Sequence, residues 1–568
     1  MQKFFLYSPG VLLFLFCLIS CNSSTSNNNF ISSDTAAINS GEILFDKNCG
    51  GCHNFKQNNI GPQLSRITKE VSVEWLHNFI HNPEQLIQSN DKRADSLYRF
   101  YKTLMPSFSL NDSEINNIIA FLNTHNERKI NDTTTGIKDP IPEKIKLSNL
   151  IVKLQLITQV PASSDSNKKP LARITKLDYQ PNTGKIFIVD LRGKLYALEN
   201  NHAIVYMDMA KLKPNFINEP GLATGFGSFA FHPQFAMNGL FYTTHTEKAN
   251  SAKADFSYDD SIPVALQWVL TEWKAGDPNA KTFEGTSREL LRINMVSGIH
   301  GAQEISFNPL AKPGDEDDGL LYIGIGDGGC TENGYAFLAH SKQKPWGTIL
   351  RIGPSGNNST NKKYGIPSAN PFLKNKNELG EIYAYGFRNP HRFTWMHSGA
   401  MLACNIGHGN IESIDLIKKG NDYGWPIREG NFSLNPYGDL NKLHPLPPND
   451  SSSHITYPIA EYDHDEGKAI CGGYEYTGNA VPQLKGKFLF GDIPTGRLFY
   501  IDIKDIHQGS EATIKEWQVS VYDSIKKLSA LCGDGRVDLR FGKDAQGELY
   551  ILTKADGKVY KIVGASIK

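Results

Sequence analysis

The fold of this chain is indicated by a repeat whose clearest copy is Ile305-Ser306-Phe307-Asn308-Pro309 followed by Gly319-Leu320-Leu321-Tyr322-Ile323. Each copy reads as an apolar strand, a turn and a second strand of the type Gly-Leu-Tyr-apolar. The six copies begin at Ile174, Phe229, Ile305, Arg392, Gly473 and Leu539. Short strands repeated at intervals of some tens of residues indicate radial repetition, and four-stranded blades suit them. The repeat predicts a mainly β protein with a six-bladed β-propeller over 147–568; an unrelated pair of β-sandwiches is the alternative.

A haem attachment motif, Cys49-Gly50-Gly51-Cys52-His53, lies ahead of the repeats. Two cysteines at this spacing can bond the two vinyl groups of one porphyrin, and the histidine that follows can bind the iron as its proximal ligand. The alternative is a redox or zinc-binding cysteine pair beside an incidental histidine. Cys49, Cys52 and His53 are therefore predicted to hold haem c.

A second axial ligand is predicted at Met105, in an irregular stretch just before a helix. Asp112 or Ser113 can cap that helix. Its apolar stripe consists of Ile115, Ile118, Ile119 and Leu122. Ligation of iron by Met and His suits electron transfer. Together with Gly61-Pro62-Gln63-Leu64, these features make 38–126 resemble a class I cytochrome c, which implies a small all-α domain.

The N-terminal segment is predicted to be a targeting signal. Lys3 gives the positive start, 11–16 form the apolar core, and Leu18-Ile19-Ser20-Cys21 resembles a bacterial lipobox. Residues 1–21 are then a lipoprotein signal peptide and 22–37 a flexible tether. We expect an anchor through lipidated Cys21 on the periplasmic side of a bacterial membrane, with the outer membrane favoured. An ordinary secretory signal is the alternative.

Composition excludes one class of partner and leaves the disulfides open. The chain has 568 residues, with 59 Lys plus Arg and 59 Asp plus Glu, so the formal net charge is zero. A nucleic-acid partner would require a basic excess, and none is expected. Residues 127–146 are polar and carry two prolines, which predicts a linker. The cysteines outside the signal and the haem motif can form up to two disulfides; they are Cys330, Cys404, Cys471 and Cys532.

The repeat region resembles the soluble quinoprotein glucose dehydrogenases, also called the glucose/sorbosone dehydrogenase family. The motifs that carry the resemblance occur in the family's order. They are His300-Gly-Ala-Gln303, Gly326-Asp-Gly-Gly329, Gly347-Thr-Ile-Leu-Arg-Ile352, Tyr385-Gly-Phe-Arg-Asn-Pro390, Ile414-Asp-Leu-Ile417 and Asn421-Asp-Tyr-Gly-Trp-Pro426. The resemblance implies the cofactor pyrroloquinoline quinone (PQQ), bound through Ca²⁺ at the top of the propeller, and a sugar or related alcohol as substrate.

The resemblance also implies the catalytic residues. His300 would be the base that removes the hydroxyl proton of the substrate, a task that suits histidine because it titrates near neutrality. Arg388 and Asn389 would lie beside the reactive quinone carbonyls, where a fixed cation stabilises the negative charge of the reduced form.

The cofactor-binding positions follow in the same way. The main-chain carbonyls of Gly407 and His408 would hold Ca²⁺, which prefers oxygen ligands. Arg536 and Arg540 would bind the carboxylates of the quinone. For each of these arginines, and for Arg388, an ordinary structural role is the alternative.

Three positions depart from the glucose dehydrogenase pattern. Ala223 replaces a glutamine near the base, Ile299 replaces an aspartate before it, and Pro494 lies where a quinone-contacting lysine is missing. The sequence therefore supports three hypotheses. The first is a PQQ- and haem-dependent sugar or alcohol dehydrogenase that passes electrons to its own haem and then to an external redox protein. The second is a non-catalytic propeller that binds carbohydrate or a protein partner, with the cytochrome acting separately. The third is an electron-transfer or sensory lipoprotein whose propeller is only a scaffold.

Overall fold

The computed structural model describes residues 31–568 except 51, 57, 59–60, 102–103, 109, 127–133, 165–168 and 222. The predicted signal peptide with Cys21 lies outside the described residues, as do 22–30 of the predicted tether. In the described part of the chain, no helix is long and apolar enough to span a bilayer.

The N-terminal domain is helical, as predicted. Its helices are α1 (Thr35–Asn48), α2 (Ile67–Glu70), α3 (Val73–His81), α4 (Pro83–Gln88), α5 (Lys92–Tyr101) and α6 (Asp112–Thr124). Helix α1 begins slightly before the predicted domain boundary, because the Asp34 side chain accepts a hydrogen bond from the Ala37 amide. The cap of α6 is Asn111 rather than Asp112 or Ser113. Asn111 and Glu114 exchange side-chain and backbone hydrogen bonds in a capping box.

Helices α1 and α6 pack closely at the centre of this domain. Any Cβ at Gly41 would collide with the main-chain carbonyl of Asn117, so glycine allows the two helices to approach. The ring of Phe45 stacks on Phe55 at 5.1 Å between centroids and packs on Phe121 at 5.4 Å. This apolar core fixes the chain on both sides of the haem motif.

The described residues after this domain form mainly strands, with four short α-helices and three 3-10 helices between them. The strands are β1 (Lys146–Gln159), β2 (Ile174–Tyr179), β3 (Ile186–Asp190), β4 (Lys194–Glu199), β5 (His202–Asp208), β6 (Phe226–Phe231), β7 (Leu240–Lys248), β8 (Leu266–Ala275), β9 (Gly285–Met295), β10 (Glu304–Phe307), β11 (Leu321–Ile325), β12 (Thr348–Ile352), β13 (Ile382–Tyr385), β14 (Pro390–Trp395), β15 (Met401–Asn405), β16 (Ile411–Ile417), β17 (Arg428–Glu429), β18 (Phe432–Leu434), β19 (Leu443–His444), β20 (Ala460–Asp463), β21 (Ile470–Glu475), β22 (Lys487–Asp492), β23 (Leu498–Asp502), β24 (Lys515–Val521), β25 (Ser524–Lys526), β26 (Leu539–Lys543), β27 (Leu549–Thr553) and β28 (Lys558–Ile567). The helices are α7 (Met209–Leu212), α8 (Phe235–Asn238), α9 (Ala336–Ala339) and α10 (Leu528–Cys532).

The strands associate mostly as antiparallel sets of four. Three sets form separate sheets: β6 to β9, β10 to β13, and β14, β15, β16 with β20. A 13-stranded sheet contains β2 to β5, β21 to β24, and β26 to β28 with β1, linked through the parallel pairs β1–β24 and β2–β26. Each predicted repeat copy lies on the first two strands of one set. The chain is therefore mainly β, as predicted; because the sheets do not join into one closed ring, six blades remain a prediction.

The first strand of this region pairs with the last. Strand β1 lies antiparallel to β28, from Leu150 opposite Ile567 to Gln159 opposite Lys558. The predicted linker is bound to the surface before it enters β1. The amide of Ile137 donates to the carbonyl of Leu443 at 2.8 Å, and Lys144 pairs with Asp465 at 3.4 Å.

Buried charges join the innermost strands of three sets. The Lys176 ammonium on β2 is 2.6 Å from a carboxylate oxygen of Glu304 on β10, and Nε of Arg392 on β14 is 3.2 Å from the other oxygen. All three residues are buried. Such a network fixes the relative positions of strands that share no backbone hydrogen bonds.

Neither of the two disulfides that the sequence allowed is formed among the described residues. All six cysteines that the structure describes, including the four considered for pairing, carry free thiols. Cys471 instead donates to the carbonyl of Leu539 at 3.1 Å, and burial raises the pKa of its thiol to about 11.

Candidate functional site

The predicted site residues lie at one end of the strand sets. His300 precedes β10, Arg388 precedes β14, and Arg536 precedes β26, each of which is the first strand of its set. The loop between β15 and β16 carries Gly407 and His408. Because these strands begin at a common end, residues far apart in sequence meet there.

His300 forms a buried hydrogen-bonded pair with Asp327. Nδ1 of His300 lies 2.8 Å from a carboxylate oxygen of Asp327, which also accepts from the Gly329 amide at 2.9 Å. The other carboxylate oxygen accepts from the Trp425 indole at 3.0 Å. An ionised carboxylate accepts only, so Nδ1 is the donor in this pair, and in the neutral ring the lone pair is then on Nε2. The pair therefore presents a base in a fixed orientation.

The backbone at His300 adopts a conformation that few side chains tolerate. Its φ is +51°, in the left-handed region. Gly326 lies so close that any Cβ would collide with the His300 carbonyl, and Gly301 approaches the Trp268 indole in the same way. Strain of this kind persists only where the surroundings enforce it, and it concentrates at functional sites.

Arg388 is paired inside the protein. One terminal nitrogen donates to the Gly407 carbonyl and the other to the Glu332 carboxylate, while Nε has no partner among the described residues. Burial raises the pKa of Glu332, but the charge of Arg388 and a hydrogen bond from His408 outweigh it and hold the pKa below its usual range. Glu332 is thus an ionised counter-ion of Arg388.

The loop from Gly407 to Ile411 is shaped by Glu429. One carboxylate oxygen of Glu429 accepts from the amides of His408 at 2.7 Å, Asn410 at 3.1 Å and Ile411 at 3.1 Å. Any Cβ at Gly407 would collide with the Ile411 carbonyl, so the turn requires glycine. In a trans peptide the carbonyl points opposite the amide, and the Gly407 carbonyl accordingly faces Arg388.

The second pair of predicted arginines lies near a lysine. Burial lowers the pKa of Arg540. Burial also lowers the pKa of Lys554 far below its usual range; the charge of Arg540 adds to this shift, and the charge of Asp538 opposes it. Arg536 is about half exposed and pairs with Asp538 at 2.9 Å. Positive charge thus exceeds negative charge here. These residues fit a cofactor that carries carboxylates, as PQQ does.

Asn389 and Ala223 are each hydrogen-bonded to another part of the chain. Asn389 is buried, and its backbone amide donates to the Asn405 side chain at 3.0 Å. Near Ala223, where a glutamine is missing, the structure places the amide group of Gln303, which donates to the Ala223 carbonyl at 3.1 Å. The oxygen of the same side-chain amide lies 3.2 Å from Nδ1 of His391, so both ends of the Gln303 amide are engaged within the protein.

The histidine of the haem motif is held in an orientation that suits iron ligation. Nδ1 of His53 lies 2.8 Å from the Pro62 carbonyl, which leaves Nε2 for iron. Burial lowers the pKa of His53 and so favours the neutral ring that binds metal. Any Cβ at Gly61 would collide with this ring. Met105 is half-buried against the core of the domain, between α5 and α6, and its ligation of iron stays a prediction.

The cytochrome-like domain contacts the propeller region beside the site. Nζ of Lys56 donates to the Asn333 carbonyl at 2.9 Å and lies 4.4 Å from the centre of the Tyr335 ring. Asn333 follows Glu332 directly. Burial raises the pKa of the Cys52 thiol, and the field of Arg536 opposes this. The haem motif therefore faces the end of the sheets that carries the predicted site.

A buried carboxyl under this end gives a prediction about pH. Burial raises the pKa of Asp415 from 3.8 to about 8, against hydrogen bonds from Ser413 and Asn405. The native state then holds a proton that the unfolded state releases, so stability is full below pH ~4 and falls as the pH rises to ~8.

We expect the gain in unfolding free energy of Asp415→Asn over wild type to grow by about 4 kcal/mol between pH 5 and pH 8.5, since the amide does not ionise. Urea unfolding followed by far-ultraviolet circular dichroism measures this difference. Parallel pH profiles for the two proteins would contradict it.

Sequence reasoning did not assign three of these residues to the site. Asp327 is part of the motif Gly326-Asp-Gly-Gly329. Two strands, β10 and β11, separate it from His300, and this spacing could have predicted that the two side chains meet at the same end of the sheet. Glu332 and Lys554 lie in loops after β11 and β27, and their burial depends on tertiary packing.

Comparison with known proteins agrees with this arrangement. The model of the family "Glucose / Sorbosone dehydrogenase" matches 171–561, and the model of "Cytochrome c" matches 38–126. HIPL1 protein of Arabidopsis thaliana is 29% identical over 391 residues, covering 60% of this chain and 53% of that protein. Quinoprotein glucose dehydrogenase B of Acinetobacter calcoaceticus is 25% identical over 339 residues, covering 54% of this chain and 63% of that protein.

A solved structure shares the fold. The soluble aldose sugar dehydrogenase from Escherichia coli, in its apo form, superposes with a TM-score of 0.51 at 18% identity, over 73% of this chain and 100% of that chain. The present chain spans about half the length of HIPL1 protein. From the family match over 171–561, this chain belongs to the glucose/sorbosone dehydrogenase family, with a propeller-type fold and a cytochrome c domain ahead of it.

Proposed function

We propose that this chain is an exported, lipid-anchored quinohaemoprotein dehydrogenase. It oxidises the CH–OH group of an aldose or related alcohol with PQQ and passes the electrons to its own haem c, then to an external redox protein. The observation that carries the proposal is the contact between the haem-bearing segment, at Lys56, and the loop of Glu332 beside the His300–Asp327 pair. The six antiparallel sets of four strands support six blades.

His300 acts as the base in this proposal. Oxidation of CH–OH to C=O removes two electrons and two protons, one of them from the hydroxyl. With Nδ1 fixed by Asp327, Nε2 of His300 accepts the hydroxyl proton, and the resulting imidazolium is stabilised by the buried carboxylate. Asp327 is in turn fixed by Trp425 and the Gly329 amide.

The cationic residues hold the cofactor. When bound, PQQ supplies the two-electron acceptor for the hydride of the substrate carbon. Arg536, Arg540 and Lys554 provide positive charge for its carboxylates, and Arg388 provides a donor for a quinone carbonyl. The Gly407 carbonyl is a hard oxygen ligand of the kind that Ca²⁺ prefers.

The docking of the two domains supports electron transfer within one chain. A haem takes one electron at a time, and a tethered acceptor has a high effective concentration. Lys56 follows the haem motif by three residues, so its contacts with Asn333 and Tyr335 position the haem segment against the site loop.

The test uses mature protein with attached haem, to which PQQ, Ca²⁺ and a panel of aldoses and simple alcohols are added. We expect haem reduction, seen in the absorption spectrum, that requires both PQQ and one class of substrate. If no substrate reduces the haem and PQQ does not bind, the proposal is wrong.

The internal path has a separate test. We expect Lys56→Ala to slow haem reduction about tenfold, since the contacts that hold the haem segment are lost, while reduction of a small external dye by the propeller is unchanged. Stopped-flow absorption measures both rates. Lys69→Ala, at an exposed lysine of the same domain, is the matched control. Equal slowing in both variants, or in neither, would contradict the path.

The second candidate is a non-catalytic propeller that binds carbohydrate or a partner, with a separate electron-transfer cytochrome. The departures at Ala223, Ile299 and Pro494 favour this candidate. HIPL1 protein also favours it, because it is 29% identical to this chain, against 25% for quinoprotein glucose dehydrogenase B, and its name is not that of an enzyme. Calorimetric binding of a sugar without any haem reduction would support this candidate.

A further inference from the structure

We propose that the cytochrome domain covers the opening of the candidate site, so that single sugar rings and other small molecules enter while carbohydrate polymers are excluded. The ion pair between Lys47 and Glu219 holds one edge of this cover. The inference deepens the proposed function and rests on it for the identity of the substrate. The exclusion of large molecules depends only on contacts within this chain.

The cytochrome domain is attached to more than one strand set at the end that carries the site. Lys47, in the last turn of α1, pairs with Glu219 in the segment between β5 and β6 at 3.1 Å. Nζ of Lys56 donates to the carbonyl of Asn333, between β11 and β12, at 2.9 Å. The two lysines therefore attach the domain to loops that lead into two different sets.

A third attachment lies on the insertion between β16 and β20. The side-chain amide of Asn58 donates to a carboxylate oxygen of Asp439 at 3.3 Å. The carbonyl of the next residue, Leu440, accepts from the side chain of Asn410 at 3.0 Å, and Asn410 belongs to the same loop as Gly407. The domain therefore also reaches the side of the site that this loop forms.

The first two attachments likewise lie on walls of the site. In the segment before β6, the Thr224 hydroxyl lies 3.1 Å from the carbonyl of Gly298, two residues before His300. The carbonyl that Lys56 contacts belongs to the residue after Glu332. A domain that is attached on three sides of an opening spans it, and substrate sites commonly lie between domains.

The wall before β6 is held in place by a buried charge. The guanidinium of Arg173 donates to the carbonyls of Asn218, Gly221 and Thr224 at 2.7, 3.0 and 3.2 Å. These carbonyls lie on both sides of Glu219 in the sequence. Because the wall is fixed, opening the site requires movement of the cytochrome domain rather than of this segment.

The cover has the haem motif near its centre and an exposed edge. Burial raises the pKa of the Cys52 thiol, and the charge of Arg536, before β26, opposes this. The side chains of Lys47 and Glu219 are instead 49% and 56% exposed. An exposed ion pair contributes little to stability, so its charge can be reversed without unfolding the protein.

A thiol at position 223 measures access to the site. Ala223 is half-buried in the segment that follows Glu219. In the mature protein Cys49 and Cys52 are bonded to haem, and the other four described cysteines are buried, so they do not compete. The measurement compares the rates at which Ala223→Cys reacts with plain maleimide and with maleimide that carries a long polyethylene glycol chain.

The expected result is a size limit that depends on the ion pair. Glu284→Cys, at an exposed position, gives the rate ratio of the two reagents at an open site. We expect the polymeric reagent to be disfavoured about tenfold more in Ala223→Cys, since a covering domain sequesters a site. Adding Lys47→Glu places like charges at the edge and should relieve this exclusion about fivefold. Lys69→Glu, at an exposed lysine of the same domain, should leave it unchanged.

A second measurement uses substrates of two sizes. With PQQ and Ca²⁺ present, haem reduction by a monosaccharide is compared with haem reduction by a soluble polymer of the same sugar, at equal concentration of reducing ends. Wild type should respond to the monosaccharide, and Lys47→Glu should gain a response to the polymer. The haem spectrum verifies that each variant is folded.

Three results would overturn the inference. They are the same rate ratio in Ala223→Cys as in Glu284→Cys, an exclusion that Lys47→Glu does not relieve, and wild-type protein that oxidises the polymer as fast as the monosaccharide. If no sugar reduces the haem, the proposed function fails, and the labelling ratios still decide whether the site is covered.

Discussion

Replacing His300 by Ala is expected to lower the rate of PQQ-dependent substrate oxidation by about 10²- to 10⁴-fold, the usual contribution of a positioned general base. The reason is geometric. Nε2 of His300 is the free nitrogen of a ring that Asp327 holds through Nδ1 at 2.8 Å. Without the ring, the hydroxyl proton of the substrate has no acceptor in that position.

The measurement is the steady-state rate of haem or dye reduction, paired with PQQ binding by fluorescence titration. PQQ binding should stay within about threefold of wild type, since the cations that hold its carboxylates are unchanged. His202→Ala, at an exposed histidine on β5, is the control and should retain full activity. Unchanged turnover in His300→Ala would show that another group is the base.

Replacing Glu304 by Ala is expected to destabilise the propeller region by about 3–5 kcal/mol, because removal of one partner leaves buried charges uncompensated. Glu304 is the common acceptor for Lys176 at 2.6 Å and Arg392 at 3.2 Å. Both cations are buried and cannot turn toward water. The loss should appear as a lower urea midpoint with an unchanged slope.

Two variants verify the cause of this loss. Glu304→Gln keeps the shape and one acceptor oxygen, so it should cost less than Ala. Glu284→Ala removes an exposed carboxylate from the same region and should change stability by less than about 0.5 kcal/mol. Equal effects of Glu304→Ala and Glu284→Ala would mean that the buried charges rearrange freely.

Contiguous signals in the sequence were sufficient for the mainly β class and for the helical cytochrome domain, although not for the number of blades. The haem motif needs only five adjacent residues, and its helical domain is confirmed. The repeat copies coincide with the first two strands of each set because local alternation and turn glycines decide strand positions. Family motifs placed His300, Arg388 and Gly407 in loops at a common end of the sheets.

Tertiary packing decided what the sequence could not. Glu332 lies in a polar stretch, Thr331-Glu332-Asn333, that reads as an exposed turn, yet it is fully buried against Arg388 and His408. Asn111 caps α6 instead of Asp112 or Ser113, because only Asn111 stands three residues before Glu114 and can form a capping box with it. The sequence left open up to two disulfides, and the structure has free thiols at all four positions, because pairing depends on distances that sequence does not contain.

The pairing of β1 with β28 has a consequence for biogenesis. Strand β1 (Lys146–Gln159) is synthesised long before its partner β28 (Lys558–Ile567). During synthesis the cytochrome domain can fold early, whereas β1 must wait until β28 has left the ribosome. A prematurely terminated chain would then carry a mature cytochrome attached to an unfinished sheet edge, which proteases can recognise.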